Sequence, residues 1–119
     1  MGNFKSQFQL SVERVVRGIV AGDVLSYAET AVLAGRPGAA RAVGRALARS
    51  SDIPWWRVAT ANGRLVPGRE REQARRLLLE GVAIDFREPS VPRVKTPSAK
   101  HRLRPAIIPP PRSSTASLG

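Results

Sequence analysis

The chain has 119 residues, room for one small domain around one modest core. Its 20 Lys+Arg against 9 Asp+Glu give a formal net charge of +11, which points to polyanions; nucleic acid is favoured over membrane because no strongly basic amphipathic helix is evident. With no cysteine, the chain has no disulfide, thiolate metal site or thiol nucleophile, and no apolar run is long enough to cross a bilayer.

Met1–Gln9 is polar with isolated phenylalanines and lacks a basic-then-apolar leader pattern, so the expected location is cytoplasmic, at the nucleoid. From Phe8 onward, Val12, Val15, Val16, Ile19 and Val20 recur at helical spacing, with Glu13, Arg14 and Arg17 on the opposite face. Ser6 and Gln9 have the spacing of a capping box for this helix, although Asn3 could also start it, and Gly22-Asp23 is expected to end it. Ser26 and Glu29 form a second, better box, opening a short helix that stops at Gly35. Pro37 suits the first position of a third helix, Pro37–Arg49, so the pair makes a helix-turn-helix.

That third helix is built from small residues. Ala39, Ala42 and Gly44 leave it thin, while Arg41, Arg45 and Arg49 recur every four residues along one stripe. A thin basic helix can bring its backbone close to a groove and place guanidinium groups on phosphates or in the base stack. A solvated basic face on an alanine-rich helix would carry the same pattern. Val43 and Leu47 are expected to anchor the other side.

Pro54-Trp55-Trp56-Arg57-Val58 follows, and its two indoles are a third of all aromatic residues. Such a site suits a flat ligand and no covalent chemistry. Asn62-Gly63 favours a tight turn, with short strands or a wing-like loop on either side. Arg69–Glu80 reads as another helix, with Ala74, Leu77 and Leu78 inward and the charges outward, capped by Gly81. Val82, Ile84 and Phe86 alternate as a short strand.

After Phe86, prolines punctuate a segment with 7 basic residues and 1 acidic one, where residues 1–86 hold 13 and 8. Arginine far outnumbers lysine, as high-G+C coding would produce, but such bias leaves the scarcity of acids here unexplained. The expected organisation is a mainly α, small winged-helix-like domain over 1–86, with a helix-turn-helix and a short β-hairpin. A disordered, basic, Pro-rich tail over 87–119 would follow.

Val24-Leu25-Ser26-Tyr27, Ala34-Gly35, Ala39-Ala40-Arg41-Ala42-Val43-Gly44, the Pro-x-x-Arg-Val site, Asn62-Gly63 and Leu79-Glu80-Gly81-Val82 occur in the order found in O6-alkylguanine-DNA alkyltransferases. Residues 8–84 thus resemble the C-terminal DNA-binding domain of that family. The enzymes carry Pro-Cys-His-Arg-Val; here Trp55 stands at the acceptor cysteine and Trp56 at the histidine. Tryptophan at the first position marks the alkyltransferase-like proteins, which bind alkylated DNA without repairing it. Histidine is often kept at the second position, so Trp56 is a further departure.

The resemblance implies a non-enzymatic sensor of O6-alkylguanine in double-stranded DNA, bound through the minor groove by the second helix of the helix-turn-helix. Ala39, Arg41, Ala42, Gly44 and Arg45 would meet DNA, with Arg41 as the finger that fills the gap left by an extruded nucleotide. Tyr27 would push on the target phosphate. The lesion pocket would comprise Tyr27, Pro54, Trp55, Trp56, Arg57, Val58, Arg64 and Arg69, with Trp55 facing the ligand, Trp56 packed inward and Arg57 holding the loop. Glu80 matches a glutamate that accompanies the histidine in the enzymes; without that partner it is expected to serve only the helix end. No catalytic residue, metal or cofactor is expected. The chain would act as a monomer, away from membranes, and signal to nucleotide excision repair proteins. A sequence-specific regulator on the same scaffold, reading the major groove, remains the alternative.

Overall fold

Polar residues at inward positions of the first helix decide how it docks. The structure, a computed structural model, describes residues 5–95. Helix α1 (Gln7–Arg17) begins at Ser6, whose hydroxyl accepts from the Gln9 amide. The rest of the expected box is absent because Gln9 turns inward and donates to Glu13 and to the Ala46 carbonyl. Glu13, expected on the outer face, is only 2% exposed. It receives Lys5 Nζ at 3.0 Å and the Ser50 hydroxyl at 2.8 Å, joining α1 to the end of the third helix. The helix stops at Gly18, short of Gly22, since Ile19 turns into the core.

The second expected box forms in full and opens helix α2 (Tyr27–Leu33). The next helix begins later than Pro37. Gly38 sits at φ +86°, outside helical geometry, so the chain turns there and α3 covers Ala40–Arg49. Helix α4 spans Glu70–Leu79, with Arg69 and Glu80 as its caps.

Two short strands, β1 (Leu25–Ser26) and β2 (Val58–Ala59), pair in parallel between two cores. Leu25 and Val58 face a cluster with Val12, Val16, Val43 and Leu47. The adjacent Val24 and Ala59 face the other cluster, with Leu65, Ala74 and Leu77. Alternation along a strand sends neighbouring side chains to opposite faces, so the pair acts as a partition. A three-residue 3₁₀ turn, Trp55–Arg57, leads into β2 and keeps the division. Trp55 packs on the first cluster and Trp56 on the second.

The mainly helical fold with its helix-turn-helix matches the expectation; two details differ. The Asn62-Gly63 turn forms, with Gly63 donating to the Thr60 carbonyl and Thr60 to the Arg64 carbonyl, but the arms pair no further with each other and take other partners beyond it. Val58–Ala59 pairs with β1, and Arg64 bridges to Arg93. The antiparallel pair is instead β3 (Ile84–Asp85) with β4 (Arg93–Val94). The expected boundary at residue 86 therefore cuts through a strand pair, because Val94 is apolar and completes the second cluster. Residues 96–119, the remainder of the expected tail, lie outside the described residues.

Burial alone would push the Glu13 carboxyl up; hydrogen bonds from Gln9, Lys5 and Ser50, with the Lys5 charge, outweigh it and hold the group at about 2. A depressed pKa gives stability that is present above the ordinary value of 4.5 and lost as pH falls toward 2. Urea denaturation across that window should therefore show the wild type weakening on acidification. Glu13→Gln should show a shallower pH slope there, and equal slopes would remove Glu13 as the linked group.

Candidate nucleic-acid interface

On α3 the four-residue repeat becomes a real stripe: Arg41, Arg45 and Arg49 are exposed while Val43 and Leu47 are buried. The helix starts without a side-chain cap and has no acid in its first turn, so its positive end is not neutralised locally. Ala39, Ala42 and Gly44 are partly covered. Gly44 keeps α3 narrow beside Tyr27, whose ring would lie 3.9 Å from a Cβ at that position. Burial pushes the Tyr27 phenol up, so its hydroxyl stays protonated and can donate.

Beside this stripe opens a cleft of about 730 Å³. Leu47 and Ala48 of α3 form one wall; Pro54, Trp55, Trp56 and Arg57 form another; Arg69 and Arg76 close the α4 side. The two indoles meet edge to face, 6.1 Å apart at 87°. Guanidinium groups cover both: Arg69 lies 3.8 Å from the Trp55 centroid and Arg76 4.5 Å from that of Trp56. Such a cleft offers flat aromatic faces and positive charge, which fit a nucleobase and its phosphates. A more apolar groove of about 650 Å³ lies along Ala74, Leu78 and Phe86, but none of its lining residues belongs to α3 or the tryptophan turn.

Arg57 links the turn to two remote segments. Its guanidinium donates to both Glu80 oxygens, at 3.0 and 2.6 Å, and to the Ile19 carbonyl at 2.7 Å. Glu80 is not left with a helix-end role alone, because the Trp56 indole N–H donates to it at 3.0 Å. Burial raises the Glu80 carboxyl, but hydrogen bonds from Arg57, Trp56 and the Gly22 amide prevail and hold it below the usual carboxylate range.

Of the expected pocket residues, Pro54, Trp55, Trp56, Arg57 and Arg69 come together in the cleft. Trp56 lines it as well as packing inward, so both indoles are half-buried. Tyr27, Val58 and Arg64 are not brought to it. Val58 is fully buried in β2, where it supports the turn, and Arg64 lies at the bridge to Arg93. Sequence reasoning missed Arg17 and Arg76 in the lining. It also missed Gln73, which is fully buried and donates to the Trp56 and Val58 carbonyls at 3.0 and 2.9 Å. Its spacing from Leu77, one helical turn along an inward face, was the available signal.

Residues 7–82 match the family described as 6-O-methylguanine DNA methyltransferase, DNA binding domain. A DNA base-flipping protein of Vibrio parahaemolyticus is 37% identical over 83 residues, covering 66% of this chain and 83% of that protein. One of Escherichia coli is 38% identical over 85 residues, covering 67% and 66%. The crystal structure of S. pombe Atl1 in complex with damaged DNA containing O6-carboxymethylguanine is similar at a TM-score of 0.71 and 27% identity, covering 91% of this chain and 99% of that one. Mycobacterium tuberculosis O6-methylguanine methyltransferase gives a TM-score of 0.58 at 35% identity over 65% of this chain and 50% of its own, so this chain spans half that enzyme's length.

The Arg57 and Glu80 side chains are 17% and 15% exposed, so removing one strands the other's charge in a largely dry place. Glu80→Ala should cost about 3 kcal/mol in chemical denaturation. Arg57→Ala should cost a similar amount, and the double variant less than the sum. Additive losses would show that the two do not act as a pair.

Proposed function

This chain belongs to the family of 6-O-methylguanine DNA methyltransferase DNA-binding domains, and from that membership we propose that it recognises O6-alkylguanine in duplex DNA without repairing it. The observation that carries this reading is Trp55 at the acceptor position, half-buried and lining an open cleft beside the arginine-striped α3. An indole there supplies a stacking face and no nucleophile, and the chain has no cysteine elsewhere.

In this reading α3 enters the minor groove, its small residues allowing close approach. Arg41 fills the space vacated by the extruded nucleotide, and Tyr27, protonated beside Gly44 of α3, presses on the neighbouring phosphate. The base enters the cleft against Trp55 and meets Arg69, while Arg57 and Glu80 keep the turn fixed. Unstacking costs least for a damaged base, which favours lesions over intact guanine. The names of the base-flipping relatives and the DNA-bound S. pombe neighbour support base flipping and binding of damaged DNA. A bound lesion left intact would then flag the site to nucleotide excision repair proteins, with the chain acting as a monomer on chromosomal DNA. Among the described residues no helix is long and apolar enough to cross a membrane.

Affinity for a duplex with one O6-methylguanine should exceed that for the same duplex with guanine, whatever the flanking sequence. A preference for one sequence regardless of modification would assign the chain to sequence-specific binding instead. Arg41→Ala should weaken lesion binding by about tenfold, as read by fluorescence anisotropy; unchanged affinity would count against flipping. Trp55→Ala should lower the ratio of the two affinities by about tenfold, and a matching loss on both duplexes would take Trp55 out of the pocket. Trp55→Cys should transfer little methyl group in a mass-spectrometric assay, because the Trp56 N–H donates to Glu80 and cannot activate a thiol.

A further inference from the structure

Of the three guanidinium groups over the indoles, Arg69 and Arg76 share one anchor. Glu72, in the first turn of α4, receives Arg69 at 3.2 Å on Oε1 and Arg76 at 3.1 Å on Oε2. Each oxygen thus serves one arginine, and each arginine covers one tryptophan. Glu72 itself does not line the cleft. Its hydrogen bonds from Arg76 and Arg69 hold its carboxyl below the usual range, so it is ionised wherever the protein is folded near neutral pH.

At 3.8 Å, the Arg69 guanidinium occupies the slot in which a ring would stack on that face of Trp55. An entering base and Arg69 cannot both touch the same face. They can share it as layers if Arg69 rises by about one ring thickness, roughly 3.5 Å, and closes over the base. The pair with Glu72 spans three residues on the surface, with side chains 49% and 38% exposed, so it yields readily when a base enters. We propose that Glu72 is a positioning residue for lesion recognition: it parks Arg69 on Trp55 in the free protein and sets the height from which Arg69 closes on the inserted base. The proposal rests on the reading of the cleft as the lesion pocket.

The test uses the full chain and Glu72→Gln, which keeps the shape and removes the charge. In the DNA-free protein, acrylamide quenching of tryptophan emission should rise, as it should in Arg69→Ala. The preference for the O6-methylguanine duplex over the guanine duplex should fall about three- to tenfold. The same change made in an Arg69→Ala background should leave that preference where Arg69→Ala alone has set it. A role limited to charge would raise affinity for both duplexes together and leave their ratio unchanged, and that result overturns the proposal. Unaltered quenching in Glu72→Gln overturns it as well, with no DNA in the assay. If the wild type fails to distinguish the duplexes, the lesion-sensing reading falls; if the wild type discriminates and Glu72→Gln discriminates equally, only the role of Glu72 does.

Discussion

Arg57 joins three parts of the chain that sequence leaves far apart. Its guanidinium ties the tryptophan turn to the end of α4 through Glu80 and to the exit of α1 through the Ile19 carbonyl. The turn has only three residues and no side-chain cap, so little in its local geometry would fix it. Held this way, it delivers one indole to each core, and the cleft is the space left between them and α3. The position of the site therefore depends on a largely buried ion pair more than on the turn's own preference.

Tryptophan at the second position of the motif is compatible with this frame because an indole has a ring N–H. That group gives Glu80 a donor and leaves Trp56 no lone pair with which to act as a base. The carboxylate is satisfied structurally while any proton-accepting function is lost. Trp55, in the first position, adds an aromatic wall where a small nucleophile would leave room. The two changes act in the same direction, towards holding a flat ligand. Arg17, Arg57, Arg69 and Arg76 line the cleft, and Leu47 and Ala48 of α3 form its neighbouring wall.

Much of the framework was legible because it follows local rules. The box at Ser26 and Glu29 forms as written, since both partners lie within one helical turn. Val43 and Leu47 anchor α3, and the three arginines opposite them stay outside. The failures have a shared cause. Glu13, Gln9 and Gln73 are polar residues at inward positions, and each is buried because distant backbone or side-chain groups satisfy it. Pro37 satisfies a local rule for helix starts, but the left-handed Gly38 next to it overrides that rule. Val94 looked like part of a tail because prolines surround it, yet it completes a core assembled from remote segments.

The sequence by itself determined that four helices form, the full capping box at Ser26 and Glu29, the basic stripe on a thin helix, and the replacement of the motif's cysteine and histidine by tryptophan. These are properties of spacing and side-chain chemistry, and they need no partner from elsewhere in the chain. Only the tertiary structure decided that Trp56 shares the cleft, that Arg76 and Arg17 line it, and that Val58 and Arg64 do not. Those outcomes depend on where α4 and the exit of α1 pack against the turn, and such long-range contacts leave no periodicity along the chain from which to read them.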